Sequence, residues 1–390
     1  MTVLCFADTR FPIERANGVQ TMATCRALAA RGHDVRLVVR PDTAAVARDP
    51  FEFYGEARAP SLAITAVPAS GGARTRRVRF LLSALALARA HRSAVIYTRD
   101  LGVAALLLQA PRPVRPAVVY EAHGVSAVVR AELPALLGPP AAAASDRKLR
   151  RLDRHERRVW RRAPAVVAIT HALAAELAHR HGPRDRVFVV PDGAHPMPPL
   201  APQGPRPSPV AGYAGHLYPW KGVEVLIRAL ALAPSYRALV VGGHPQEGDR
   251  GRVERLAGEL GVCDRVTFAG LVPPREVRLA LEPASVLVLP NTATASSERY
   301  TSPLKLFEYL TTGRPIVASD LPAIREVLRD GETALLVPPG DERALAAALG
   351  RLAGDLALAA RIGAAAQALA ARFTWEARAA RIEAALAAAS

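Results

Sequence analysis

The sequence predicts an α/β protein made of two successive domains, each built on a parallel sheet. Short β-type runs alternate with alanine- and leucine-rich helical patterns from one end to the other, the signature of βαβ units. The chain has 390 residues, too many for one ordinary core and enough for two domains of roughly 150 to 200 residues each. A proline-rich break then divides the alternation in two.

In the first half the strand candidates are Val3–Phe6, Val35–Val39, Ala94–Tyr97, Ala117–Tyr120, Ala165–Ile169 and Val187–Val190. The segment from His195 to Pro209 carries prolines at 196, 198, 199, 202, 205, 207 and 209. It can continue neither a helix nor a central strand, and it predicts an extended linker over 196–209. The pattern restarts with Val210–Ala214, Ala238–Val241, Arg265–Phe268, Ser285–Leu289, Ile316–Ala318 and Ala334–Val337. The expected organisation is therefore 1–195, linker 196–209 and 210–372, with a final helix over 373–390. Ligands of open α/β sheets bind beyond the carboxyl ends of the strands, so functional residues are sought just after strands, and two facing domains would form a cleft.

Composition narrows the class. Half the residues are hydrophobic and 5% are aromatic, which describes a helix-rich globular protein rather than a disordered or fibrous one. No apolar run approaches the ~18 residues of a membrane span. The N-terminus reads directly as a buried strand without a basic leader, and a cytoplasmic protein is expected. The cysteines, Cys5, Cys25 and Cys263, are odd in number and lack CxxC spacing, so neither a disulfide framework nor a zinc site is indicated. The net charge of +16 is compatible with nucleic acid, an anionic membrane surface or acidic small molecules as partners.

The richest stretch runs from Ser302 to Ala318. Pro303 suits the first position of a short helix, and the amides of Leu304 and Lys305 would follow as anion donors at the positive end of the helix dipole. Glu308, one turn further in, is placed to accept hydrogen bonds from a hydroxylated group joined to that anion, such as a ribose. A nucleotide satisfies both. Earlier, the Asn17-Gly18 pair sits in a loop after the first strand and permits positive backbone dihedrals and close ligand approach. His123 stands beside Gly124 at a strand end. Gly215 follows the first strand of the second half, and Lys221 lies near a helix start, where the dipole disfavours a cation unless an anion intervenes. No two aspartates are one residue apart, so a DxD metal-diphosphate motif is absent and protein cations and amides would have to neutralise a departing diphosphate. The basic run Arg147–Arg162 has Leu149, Leu152, Val159 and Trp160 at helical spacing. It reads either as a cationic face for an anionic membrane surface or as a solvated arginine-rich helix. No aromatic-interleaved basic strand or zinc-finger spacing supports nucleic acid.

Taken together, these residues resemble the retaining, sugar-nucleotide-dependent glycosyltransferases of family 4. The resemblance is carried by Asn17-Gly18, Arg31-Gly32-His33-Asp34-Val35, Glu121-Ala122-His123-Gly124, Pro191-Asp192-Gly193, Gly215 with Lys221-Gly222, and Val266-Thr267-Phe268-Ala269-Gly270. The stretches Ser302–Val327 and Gly331–Asp341 and the Phe373-Thr374-Trp375-Glu376 start of a last helix complete it. It implies the GT-B arrangement of two facing Rossmann-like domains with an interdomain cleft, the last helix crossing back to the first. It also implies a nucleoside-diphosphate sugar as co-substrate, with no cofactor and no metal. Lys221 and the amides of Leu304 and Lys305 would bind the diphosphate, Glu308 the ribose, and the backbone near Leu271 and Val272 the base. Gly18 would let the first domain close on the phosphates, and His123 would meet the donor sugar. Catalytic roles fall to His123, Lys221 and Glu308. Asn17, Gly215, His216, Tyr300, Ser302 and Pro303 complete the expected donor site.

The chain departs from the family pattern at His216, where an arginine is usual, and at Tyr300, where the first acid of the paired-glutamate motif stands. Asn17 replaces the first glycine of the usual pair, and Asp192 an asparagine. The function implied is metal-independent transfer of a sugar, with retention, to an acceptor hydroxyl on a glycan or lipid-linked intermediate of polysaccharide biosynthesis. The inner face of the membrane would be a peripheral site. The alternatives are a GT-B epimerase or phosphorylase, or a non-enzymatic nucleotide-sugar binding protein.

Overall fold

In the computed structural model the described residues are all those other than 69, 112–114, 138–142, 202, 203, 205, 206 and 246. The first half runs β1 (Thr2–Arg10), α1 (Ala16–Ala30), β2 (Asp34–Arg40), α2 (Pro50–Tyr54), β3 (Leu62–Ala66), α3 (Ala73–Ala90), β4 (Val95–Thr98), α4 (Leu101–Leu107) and β5 (Ala117–Ala122). It continues with α5 (Ser126–Leu137), α6 (Asp146–Arg162), β6 (Ala165–Ala168), α7 (His171–His181) and β7 (Val187–Val189). The second half runs β8 (Val210–Ala214), α8 (Val223–Leu232), β9 (Arg237–Val241), α9 (Asp249–Glu259), β10 (Val266–Gly270), α10 (Val277–Ala280), β11 (Val286–Leu289), α11 (Ala295–Arg299) and α12 (Leu304–Leu310). It ends with β12 (Ile316–Ser319), α13 (Pro322–Arg325), β13 (Leu335–Val337), α14 (Glu342–Gly354), α15 (Leu356–Ala370) and α16 (Trp375–Ala389).

The chain forms two compact units. One takes Met1–Val128, Ala144–Asp192 and Trp375–Ser390; the other takes Val129–Ala143 and Gly193–Thr374. The first holds a seven-stranded sheet in the order β3-β2-β1-β4-β5-β6-β7, and the second a six-stranded sheet in the order β10-β9-β8-β11-β12-β13. All pairings within both sheets are parallel. Each sheet reverses its winding once, between β1 and β4 and between β8 and β11. Those switch points are where open α/β sheets receive ligands.

Continuous apolar runs make these strands because both faces of each sheet are covered. In the second unit Ala211, Tyr213, Ala238, Val240, Val286 and Val288 face one apolar cluster with α8, α9 and α14. The alternate residues Ala214, Leu239, Val241, Leu287 and Leu289 face the other, with Leu306, Phe307 and Leu310 of α12. The period of two separates the two cores strand by strand.

One strand escaped the sequence reading. β3 is an edge strand of which only Leu62 is fully buried, so its pattern lacks the apolar continuity of the interior strands. The expected linker 196–209 falls partly outside the described residues, at 202, 203, 205 and 206. Before it, the Leu200 N–H donates to Thr312 O at 2.9 Å and Arg314 Nη1 to Ala201 O at 2.8 Å, tying the segment to the end of α12.

The last helix belongs to the first unit for a visible reason. Trp375, Arg378, Ala379, Ile382, Ala385 and Leu386 form its buried stripe. Arg378, 2% exposed, donates Nη1 to Val190 O and Pro191 O at 2.8 Å each and Nε to Thr24 Oγ1 at 3.1 Å. It pairs with Glu121 and lies 3.4 Å from Asp192. Among the described residues no helix is long and apolar enough to cross a membrane.

Candidate active site

The second unit gathers its chemistry at the β8/β11 switch point. β8 ends at Ala214, whose N–H donates to the Tyr309 hydroxyl at 2.8 Å. Gly215 follows with φ +127°, and a Cβ there would stand 3.0 Å from Lys305 Nζ. Only glycine supplies both that backbone angle and that space. The next residues lead through a 3-10 turn, Pro219–Lys221, into α8. Lys221 Nζ sits 3.7 Å from the centroid of the Trp220 ring, and burial pushes its ammonium down to about 7. Behind this turn, Thr292 N–H donates to Trp220 O at 3.0 Å. Asn291, the second residue past β11, is fully buried, with no hydrogen-bond partner on either amide atom.

α12 lies against the same edge. Pro303 caps it with φ −76° and ψ 120°, one position earlier than the sequence placed it. The helix proper opens with Leu304 and Lys305, whose backbone N–H groups have no acceptor within the helix. The side chain of Lys305 is the feature that sequence reasoning missed. It turns inward, leaves the residue 8% exposed, and sets Nζ 3.7 Å from the Tyr213 ring centroid with no hydrogen-bond partner. Burial, joined by the Lys221 charge, pushes that ammonium well below its ordinary range. Glu308, half-buried one turn on, is raised by burial, with Lys305 and His195 drawing it back. A lysine set among Leu304, Leu306 and Phe307 was the available signal: a cation on a helix whose other side chains, Glu308 apart, are buried.

Gly215, Lys221, Lys305 and Glu308 are thus brought together. Leu271 and Val272 leave the end of β10 in the same row, since Gly242 N–H donates to Gly270 O at 2.7 Å and a Cβ on Gly242 would meet Gly215 O at 2.1 Å. Tyr300 is buried at the end of α11, and Ser302 is half-buried between it and α12. His216 is turned to other partners. Its ring stacks on Tyr218 at 4.9 Å, and Nδ1 lies 3.2 Å from Glu247, which also accepts from the Tyr218 hydroxyl at 2.7 Å.

In the first unit His123 follows β5. Its Nε2 lies 3.0 Å from Glu121 Oε1, and burial, then Arg99, pushes it down to about 4 against the pull of Glu121. The imidazole is therefore neutral at pH 7. Glu121, 2% exposed, accepts from Gln20 Nε2 at 2.8 Å and the Tyr97 hydroxyl at 2.6 Å, besides Arg378.

The Asn17-Gly18 loop is corrected by the structure. Both residues lie inside the first turn of α1, neither has positive φ, and the Gly18 N–H already donates to Arg15 O at 2.9 Å. Glycine is required there by packing, because a Cβ would stand 2.2 Å from the Tyr54 hydroxyl and 2.6 Å from Ile13 Cγ2. The cysteines stay unpaired, with Cys5 and Cys25 buried and Cys263 exposed. On α6 the packed face is Glu156, Val159 and Trp160, with Leu149 and Leu152 half-buried. Arg147, Arg150, Arg151, Arg154, Arg157, Arg158, Arg161 and Arg162 are exposed.

Fold and site together define a two-unit, doubly wound α/β protein with a buried lysine, Lys305, and a half-buried one, Lys221, at the switch point of its second sheet. The family model described as a glycosyl transferase 4-like domain matches residues 17–193, and the model of glycosyl transferases group 1 matches 208–355. The chain belongs to this glycosyltransferase family. A D-inositol 3-phosphate glycosyltransferase of Nocardia farcinica is 31% identical over 279 residues, 67% of this chain and 59% of that protein. The match thus spans less than two thirds of that relative's length. Among solved structures, the sucrose-phosphate synthase of Thermosynechococcus elongatus superposes with a TM-score of 0.78 at 21% identity, covering 98% of this chain and 97% of that one. Anabaena HepE, solved with UDP, gives 0.75 at 19% identity over 99% of this chain and 100% of its own. The fold is that of the GT-B glycosyltransferases.

Proposed function

We propose that the protein transfers a glycosyl group from a nucleoside-diphosphate sugar to an acceptor hydroxyl, with retention of anomeric configuration and without a metal. The observation that carries the reading is the cluster of Lys221, Lys305 and Glu308 around Gly215 at the β8/β11 switch point, inside the half matched by the group 1 model. Two ammonium groups and a carboxylate suit a diphosphate joined to a ribose. HepE, which shares the fold, was solved with UDP.

In this reaction the bond between the sugar's anomeric carbon and the phosphate oxygen breaks, and one to the acceptor oxygen forms on the same face. The acceptor proton passes to the leaving phosphate. Lys221 and the first amides of α12 meet the charge that develops on that phosphate, preorganised in a site where burial strengthens them. Neutral His123 offers a hydrogen bond to the sugar rather than a charge. The cationic face of α6 supports docking on an anionic lipid surface where a lipid-linked acceptor resides; sedimentation with phosphatidylglycerol vesicles checks this, and failure to bind at low salt refutes it.

The test of the main reading is transfer by purified enzyme in the presence of chelator, with the product's anomeric configuration read by NMR. Lys221→Ala and Glu308→Ala should each lower turnover by roughly ten- to a hundredfold, the kinetic equivalent of a charge-assisted contact worth ~1.5–3 kcal/mol. Both variants should melt as the parent does. Parent-like turnover in either, or an inverted product, sinks the assignment.

A further inference from the structure

The Lys305 side chain is buried, and its Nζ has no hydrogen-bond partner. We infer that its side-chain ammonium is the second phosphate-binding cation of this protein, clamping the donor diphosphate together with Lys221 in place of the positive charge that His216 does not supply. This rests on the function proposed above and deepens it, by giving the Lys305 side chain, and not only its backbone amide, a defined place against the donor diphosphate.

The geometry is specific. Lys305 Nζ is walled by the Tyr213 ring at 3.7 Å and opens toward the Cα of Gly215, where a Cβ would stand only 3.0 Å away. The groups facing it from each neighbouring element are few. From β8 comes Tyr213, whose phenol is raised well above its ordinary range by burial and donates to His216 O at 2.5 Å, so it carries no charge. From the turn before α8 comes Lys221, a like charge. From α12 itself come Glu308 and Tyr309; the Tyr309 phenol is raised by burial and accepts from Ala214 N–H. His195 acts on Glu308 from the segment before the linker. His216 and Glu247 are paired with each other. Glu308 is thus a single acid beside two ammonium groups, and a buried pair of like charges is stable only when neutral or when an anion lies between them.

A diphosphate between the two lysines restores both charges, so binding takes up protons from solvent. At pH 8 a terminal phosphate is already ionised, and the protons therefore come to the protein. By linkage, affinity falls as pH rises above the free lysines' titration, with a slope of about two in log Kd per pH unit when both titrate and about one when only Lys221 does.

The experiment is calorimetric titration of the full chain with UDP, GDP and ADP in turn, in buffers of different ionisation enthalpy and with chelator present. The expected result at pH 8 is uptake of more than one proton per nucleotide. Lys305→Met should weaken the binding by roughly ten- to a hundredfold and reduce the uptake by about one proton. Parent-like affinity and uptake in Lys305→Met overturns the inference while leaving the donor site standing. If that variant fails to fold, Lys305→Gln is read by the same titration, with binding weakened by roughly tenfold or more supporting the clamp and parent-like binding refuting it. No binding of any of the three nucleotides by the unmodified protein removes the proposed function itself, and the clamp with it.

Discussion

Replacing Arg378 by methionine tests how the last helix is held. The guanidinium is 2% exposed and donates to two backbone carbonyls, the Thr24 hydroxyl and Glu121, with Asp192 3.4 Å away. Methionine keeps the apolar stem and removes every one of those donors. Removing one partner of a buried ion pair costs about 3–5 kcal/mol because the other charge stays behind without compensation. For a unit of this size that is roughly a 6–20 °C fall in Tm.

The loss should shrink in acid. In the parent, burial raises the Glu121 carboxyl, but Arg378 and His123 more than offset it and hold it well below its ordinary value. Its contribution is therefore present above the unfolded carboxylate pKa and is lost as pH falls. Without Arg378, burial prevails and the folded-state pKa lies above the unfolded value, so the variant gains stability on acidification. Asp192, already pushed up to about 6 by burial, moves further in the same direction. Parent and variant thus converge steadily as pH falls, from above about 6, where Asp192 titrates in the parent, down through the carboxylate range to the depressed Glu121. Urea unfolding followed by tryptophan fluorescence reads this, since Trp160 and Trp375 are both buried in the first unit. Adding Glu121→Gln to Arg378→Met should recover part of the loss at pH 7. A loss below about 1 kcal/mol, the range of exposed pairs, or a loss that does not change with pH, refutes the reasoning.

Other outcomes follow from single contacts. Gly18→Ala should destabilise by ~1–3 kcal/mol through overpacking against Tyr54 and Ile13, outweighing its gain in helix propensity of about 1 kcal/mol; a higher melting temperature contradicts this packing. Asp341 caps α14 by accepting from Ala344 N–H at 2.8 Å, so Asp341→Ala should cost about 0.5–2 kcal/mol in denaturant unfolding. His123, pushed down to about 4, binds fewer protons in the folded than in the unfolded state from there up to about 6.5, so its contribution to stability rises with pH across that window and is flat above it. An imidazole NMR titration with a midpoint at or above 6.5 would falsify that environment.

The local sequence determined much of this protein. Uninterrupted apolar runs such as Val286–Leu289 and Ile316–Ser319 become central parallel strands because every residue in them meets one core or the other, and a short run of side chains is enough to state that. The glycine after β8 and the family likeness of the stretch beginning at Ser302 were legible in the local sequence as well. β3 was not, since an edge strand with one face toward solvent leaves a weak local pattern. Tertiary structure alone decided which charges are buried and with what. Gly18 reads as a flexible loop until Tyr54 and Ile13 are seen against it. Arg378 looks like one more exposed arginine until residues 24, 121, 190, 191 and 192 converge on it. Lys305 offers the sequence reading only a backbone amide until Tyr213 and Gly215 are seen against its side chain. Burial and partnership are made by groups far apart in the chain, and it is the desolvation of a charge among such partners that turns an ordinary lysine into a group poised for an anion.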